Sequence, residues 1–180
     1  MLTKDLNEII SKISDNQAVS IPTDTVYGLS CRISKDAVAK IISLKKRDSS
    51  KGFIIISHNY KHLLKYTDTA VLSAQQIKEI CSVQEQPTTW IVPGKESIQW
   101  LAGGKPTIAI RLVTTDIITN ICTKIDDAII STSANISGQD FINNSHSINK
   151  TFNNIYTLER EVNSSQPSRI IDIITRDRYR

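Results

Sequence analysis

A chain of 180 residues with 39% hydrophobic content has enough apolar material for one sizeable core and is expected to form a single domain over residues 1–180. Lys and Arg number 22 against 18 Asp and Glu, a formal charge of +4, which biases the surface toward anionic ligands such as nucleotides or RNA without choosing between them. Cys31, Cys81 and Cys122 are widely spaced with no C-x-x-C pair, which argues against a zinc site or a disulfide framework.

The first residues lack the basic-then-apolar order of a signal peptide, and no apolar run approaches the roughly 20 residues that span a bilayer. A cytoplasmic protein with reduced thiols and no membrane segment is the expectation. Between Thr3 and Asn16, the residues Leu6, Ile9, Ile10 and Ile13 recur at helical spacing and predict a one-sided helix. A short strand follows at Ala18–Ile21. From its end hangs Pro22-Thr-Asp-Thr-Val-Tyr-Gly-Leu29, which sets hydroxyls, a carboxylate and a phenol side by side.

Ser34 is placed to cap a second helix with the apolar face Val38, Ile41, Ile42 and Leu44, whose C-terminal end delivers Lys45 and Arg47. Cations there suit the helix dipole. The apolar run Phe53–Ile56 predicts a strand covered on both faces. Helical patterns near Asn59–Lys65 and Ser73–Val83 precede strands at Thr89–Val92 and Ile108–Leu112, then a helix around Asp116–Lys124 and a strand at Ala128–Ser131. Ser145–Asn154 reads as a helix, and Ile155–Leu158 and Arg169–Ile173 as late strands. The polar stretches Gln139–Lys150 and Glu161–Ser168 read as mobile surface loops near a ligand. This alternation predicts a three-layer α/β domain, an open sheet with helices on both faces, and ligands gathered at strand ends.

Four segments carry candidate chemistry. Lys45 and Arg47 can converge on one anion if the helix stops there, and Asp48-Ser-Ser-Lys-Gly52 supplies a stop. A guanidinium grips phosphate oxygens in pairs while an ammonium acts as a mobile point charge, a combination suited to a triphosphate; the competing reading is a solvated charged turn. In Thr107–Leu112, Ile108 and Ile110 face one side, and Thr107, Ala109 and Arg111 the other. An inward Arg111 needs an anion, either a ligand's or that of Asp126 or Asp172. Ser131-Thr-Ser-Ala-Asn135 brings hydroxyls and backbone N–H groups to a strand end, with Ser137-Gly138 as a turn. No G-x-x-x-x-G-K-[ST] or G-x-G-x-x-G pattern occurs, and His58, His62 and His146 give little support for a catalytic triad or a metal site.

The ordered set Pro22–Leu29, Leu44-Lys-x-Arg47 with Lys51-Gly52, Ala109-Ile-Arg111, Ser131–Asn135 with Ser137-Gly138, and Pro167-Ser168 resembles the YrdC-like family of L-threonylcarbamoyl-AMP synthases in its short bacterial form. The resemblance implies a YrdC/RibB-like twisted mixed sheet, parallel and antiparallel, around a concave basic cavity. It implies condensation of L-threonine, bicarbonate and ATP to threonylcarbamoyl-adenylate and pyrophosphate, with Mg²⁺ accompanying ATP. A downstream threonylcarbamoyl transferase complex would act on tRNA.

By motif, Thr25, Tyr27, Arg111, Ser131 and Ser168 would form the threonine side. Arg47, Lys51, Thr107, Ser133 and Asn135 would bind ATP, and Lys45, Arg47 and Lys51 would screen charge during the reaction. Ser30 and Asp48 stand where the family commonly has glycine and proline. The alternative function is a non-catalytic binder of structured, double-stranded RNA, which the charge allows but the scarcity of aromatics disfavours. A carbamoyl-transfer domain of hydrogenase-maturation type ranks last, since those proteins are far longer and carry cysteine-rich segments.

Overall fold

The computed structural model describes residues 1–161 and 166–180. Its helices begin where the sequence offers a cap. Asp5 accepts the Asn7 N–H at 2.8 Å and opens α1 (Leu6–Ser14), and Ser34 caps α2 (Lys35–Lys45) through the Ala37 N–H at 3.3 Å. Ser73 and Gln76 form a reciprocal capping box at the start of α4 (Ala74–Ile80), and Thr115 caps α5 (Asp116–Ile125). The short helices α3 (Tyr60–Leu64) and α6 (Ser145–Thr151) are capped by Asn59 and Asn144.

The described strands are β1 (Leu2–Thr3), β2 (Val19–Pro22), β3 (Tyr27–Arg32), β4 (Ile54–Ser57), β5 (Thr88–Pro93), β6 (Thr107–Leu112), β7 (Ile129–Ser133), β8 (Tyr156–Leu158) and β9 (Arg169–Asp172). They form one sheet in the order β1-β8-β2-β3-β7-β4-β6-β5-β9. The central pairs β2–β3, β3–β7, β4–β7 and β5–β6 are antiparallel, while β4–β6, β2–β8, β1–β8 and β5–β9 are parallel. This is the mixed α/β sheet expected.

Side-chain alternation divides the apolar residues between two faces. Leu29, Cys31, Ile55, Ile108, Ile110, Ile130 and Val92 enter one core with Ala37, Val38 and Ile41 of α2, Leu63 of α3, Ile148 of α6, and Ile98 and Leu101 of a 3-10 helix at Glu96–Ala102. Val19, Ile21, Ile56 and Ile129 enter a second core with Ile9 and Ile13 of α1 and Ile118 and Ile121 of α5. Each fully buried Ile or Leu contributes roughly 1.5–3 kcal/mol, so both cores hold the sheet between layers.

The second core covers only part of its face. Ile54 therefore does not sit in a strand buried on both sides, as the run Phe53–Ile56 predicts; it lines an open cavity. Three elements have no counterpart in the sequence analysis: β1, the 3-10 helix, and β3, which begins within the first motif. Yet Tyr27, Leu29 and Cys31 in the core, alternating with Gly28 and Ser30, follow strand periodicity. Of the two polar stretches expected to be mobile, Gln139–Lys150 includes all but the last residue of α6, while residues 162–165 of the other lie outside the described residues.

Candidate functional site: a cavity on the uncovered half of one sheet face

The register assembles the floor of the cavity. Ser131, Ile54, Ala109, Ile91 and Asp172 are successive cross-strand partners from β7 to β9 and form one row. Gly28 pairs with Ser133 on one side of that row, and Arg111 pairs with Ile56 on the other. The resulting cavity measures about 800 Å³, within the range of small-molecule and cofactor sites. It lies against the sheet face, not at strand ends. The strand-end rule belongs to open parallel sheets, and here antiparallel pairing around β7 leaves a broad face free.

At one end of the cavity stands Arg111, which is 5% exposed. Its ion-pair partner is neither Asp126 nor Asp172 but Asp24 of the first motif, with Nη2 to Oδ1 at 3.0 Å. The same Nη2 donates to Thr25 Oγ1 at 3.5 Å, while Nε is buried with no hydrogen-bond partner among the described residues. Burial pulls the Arg111 pKa down, Asp24 raises it, and the nearby Arg180 lowers it. An unused donor on a buried guanidinium carries a cost that a ligand oxygen would relieve.

Thr23 braces the turn that presents Asp24 and Thr25: its hydroxyl donates to the Val26 carbonyl at 2.8 Å and accepts the Thr25 N–H at 3.2 Å. Ser168 closes this end, with its hydroxyl 2.8 Å from that of Thr89 and its carbonyl accepting Arg180 Nε–H at 2.9 Å. Gly28 allows the close approach of Ser131, since a Cβ there would lie 2.2 Å from Ser131 Oγ.

The other end is built on the termination of α2. Lys46 takes a left-handed conformation with φ of 49°, which stops the helix and sends Arg47 away from the helix axis. Arg47 Nη2 donates to the Gly52 carbonyl at 2.6 Å, Nε to the Lys51 carbonyl at 3.4 Å, and the guanidinium lies 5.1 Å over the Phe53 ring. Burial lowers its pKa. Asp48 tightens the turn by accepting the Ser50 N–H at 2.9 Å. Ser50 in turn packs on Gly103, whose φ of +68° and 2.3 Å Cβ-to-carbonyl approach exclude a side chain. That contact brings the end of the 3-10 helix at Ala102, and Lys105 beyond it, into the cavity wall that Arg47 also lines.

Nine of the residues singled out in the sequence line this one cavity: Thr25, Tyr27, Arg47, Thr107, Arg111, Ser131, Ser133, Asn135 and Ser168. Tyr27 contributes wall and not hydroxyl, because its phenol lies 2.8 and 2.7 Å from the carbonyls of Leu158 and Arg160 and accepts the Arg160 N–H at 3.2 Å. Two residues fall elsewhere. Lys51 is exposed outside the lining, and its carbonyl, not its ammonium, supports the site through Arg47. Lys45 is buried outside the lining, its Nζ donating to the carbonyls of Ser133 and Asn135 and to Asn135 Oδ1. Neither ammonium faces the cavity as the expected charge-screening group.

The sequence reading missed Lys105, Arg180, Phe141 and Tyr179 in the wall, and gave Gly28 of the first motif no role of its own. The Gly103-Gly104 pair before Lys105 is a turn signal that could have raised its interest. Arg180 has no such signal; it arrives because residues 177–180 fold back on β9, the Tyr179 N–H bonding to the Ile170 carbonyl at 2.9 Å. The wall's cations Arg47, Lys105, Arg111 and Arg180 outnumber its carboxylates Asp140 and Asp172, so the cavity favours anions.

No helix among the described residues is long and apolar enough to cross a membrane. Residues 11–180 match the family model Sua5_yciO_yrdC, described as "Telomere recombination". A threonylcarbamoyl-AMP synthase of Mannheimia succiniciproducens is 33% identical over 180 residues, 98% of each chain. One from Photorhabdus laumondii is 31% identical over 96% of this chain and 93% of its own. Among solved structures, Sua5 of P. abyssi complexed with L-threonine superposes with a TM-score of 0.83 at 23% identity, covering 93% of this chain; this chain spans about half of that longer protein, 50%. E. coli YciO superposes with a TM-score of 0.77 at 17% identity over 99% of this chain and 94% of its own. The family-model match over residues 11–180 and the near end-to-end alignment with relatives about one-third identical, on a fold shared with both solved structures, make this chain a member of the Sua5/YciO/YrdC family.

Proposed function

We propose that this chain is an L-threonylcarbamoyladenylate synthase, a nucleotidyltransferase that condenses L-threonine, bicarbonate and ATP to threonylcarbamoyl-AMP and pyrophosphate. The observation that carries the reading is the placement of Thr107 and Arg111 on one face of β6, at opposite ends of a single cavity. Four residue steps along the strand separate them by about 13 Å, which suits an amino acid held by its carboxylate at Arg111 with a triphosphate extending toward Thr107 and Arg47. Relatives named for this activity match nearly the whole chain, and the P. abyssi protein of the same fold was solved with L-threonine.

In this reading the threonine carboxylate takes the free Arg111 Nε, with Thr25, Ser131 and Ser168 around it. Arg47, Thr107, Ser133 and Asn135 hold the nucleotide. The threonine amine forms a bond to the bicarbonate carbon and a C–O bond breaks with loss of water, giving the carbamate; a carbamate oxygen then attacks the α-phosphorus and the bond to the α,β-bridging oxygen breaks, releasing pyrophosphate. The reactants are all anionic, so catalysis is chiefly positioning and charge neutralisation. Arg47 and Lys105 supply fixed positive charge on the nucleotide side.

Mg²⁺ would add Lewis-acid stabilisation of the phosphates. Among the described residues no group of three His, Cys, Asp or Glu is arranged to cage a cation. The ion would therefore ride on phosphate oxygens and water, a mode common for magnesium, with Asp140 and Asp172 the carboxylates on the wall. The product would pass to a transferase complex acting on tRNA in the cytoplasm, where the three free cysteines would stay reduced. Pyrophosphate release that requires threonine, bicarbonate and ATP together supports the proposal. Release that ignores threonine, or salt-sensitive RNA binding without turnover, refutes it.

A further inference from the structure

Lys45 combines a charge, near-complete burial and no contact with the cavity. It ends α2 with 1% of its surface exposed. Its Nζ donates to the Ser133 carbonyl, to the Asn135 carbonyl at 2.8 Å and to Asn135 Oδ1 at 2.9 Å. Three N–H bonds meet three oxygens, so the ammonium has no donor left for a phosphate.

Those oxygens all belong to the segment that carries Ser133 and Asn135 into the cavity wall. The same segment is tied to the helix a second time, by the Ser137 N–H donating to the Lys45 carbonyl at 2.9 Å. Asn135 spreads the constraint: Oδ1 also accepts the Ser133 hydroxyl at 2.6 Å, and Nδ2 donates to the carbonyls of Ile136 at 3.0 Å and Gln139 at 2.6 Å. Lys46 then reverses the chain, so Arg47, two residues on, reaches the cavity that Lys45 does not.

We infer that Lys45 is a positioning residue: it fixes Ser133 and Asn135 at the phosphate end of the cavity and never touches the nucleotide itself. The inference rests on the assignment of that end to ATP. It divides the paired cations of the Lys-x-Arg motif into an internal clamp, Lys45, and a ligand-facing group, Arg47.

Lys45→Met keeps the volume and removes the donors. The variant is expected to raise KM for ATP roughly tenfold or more, because three oxygens of the loop lose the ammonium that ties them to α2 and the loop relaxes, while KM for threonine stays within about twofold. Combined with Asn135→Ala, it should be no worse than the poorer single variant, since both act through one unit. Effects that multiply, or equal losses for both substrates, overturn the inference.

Acetylation of lysines in the wild-type chain, read by peptide mapping with and without ATP, tests it without a variant. Lys105 should be labelled and protected by ATP, and Lys45 unlabelled in both samples. Lys45 labelling that ATP suppresses would place its amine on the nucleotide and refute the clamp. A wild-type chain that makes no adenylate defeats the functional assignment instead, and that result is read separately from Lys45 labelling in the ligand-free sample.

Discussion

The two ends of the cavity hold their cations by opposite means. Arg111 is buried, ion-paired to Asp24 and carries an unused Nε, whereas Arg47 is only partly buried and leans on the Lys51 and Gly52 carbonyls and the Phe53 ring. A buried pair is rigid, and breaking it leaves an uncompensated charge; a carbonyl-held guanidinium at a turn can move to meet a flexible polyphosphate at little cost. The Arg111 end is therefore built for a small ligand of fixed shape, and the Arg47 end for one whose geometry changes during the reaction.

Arg111→Ala should break this contrast most severely. It is expected to lower kcat/KM for threonine by roughly a hundredfold or more and to destabilise the fold by about 3 kcal/mol, because Asp24 loses its partner. Steady-state kinetics and thermal melts check both, and the ATP requirement should move far less than the threonine requirement. Arg47→Ala should mirror it, raising KM for ATP by roughly ten- to a hundredfold through lost charged hydrogen bonds, while the melting temperature hardly changes.

Gly28→Ala sharpens the comparison through Ser131. The new methyl meets Ser131 Oγ, which must swing aside; threonine affinity should fall several-fold, with stability reduced by no more than about 1 kcal/mol, as calorimetric titration and melting would show. Lys45 gives a pH signature. Burial, together with the Arg47 charge, pushes its ammonium from 10.5 down to about 7. The unfolded chain then holds this proton more tightly between those values, so the group's contribution to stability rises as pH increases through that window. The melting temperature of wild type minus that of Lys45→Met should accordingly grow from pH 7 to 9; a flat difference would contradict the shift. Lys51→Ala should do least, leaving KM for ATP within about twofold, since an exposed ammonium outside the lining contributes little.

Strict alternation in Thr107–Leu112 announced which side chains of β6 share the cavity, and Ser34 announced α2; both signals are local, and both survive in the fold. The anion opposite Arg111 was hidden because Asp24 reaches it through a turn between β2 and β3, a contact no spacing rule encodes. The separation of Lys45 from Arg47 depends on the left-handed Lys46, a conformation uncommon for lysine, so the sequence suggested two cations acting together. Lys105 and Arg180 come from segments that reach the wall only through long-range packing on Ser50 and β9. Motif order located the pocket because its hydroxyl-rich segments lie on neighbouring strands, but the direction of each charged side chain was settled by tertiary contacts.

The central claim is that one cavity joins an amino acid to a nucleotide. Incubation of the purified chain with L-threonine, ATP, Mg²⁺ and carbon-labelled bicarbonate, followed by mass spectrometry, tests it most directly. The account predicts threonylcarbamoyl-adenylate carrying the label, abolished in Arg111→Ala and restored in part by excess threonine. Unlabelled adenylate, or no adenylate from a chain that binds both substrates, would contradict it.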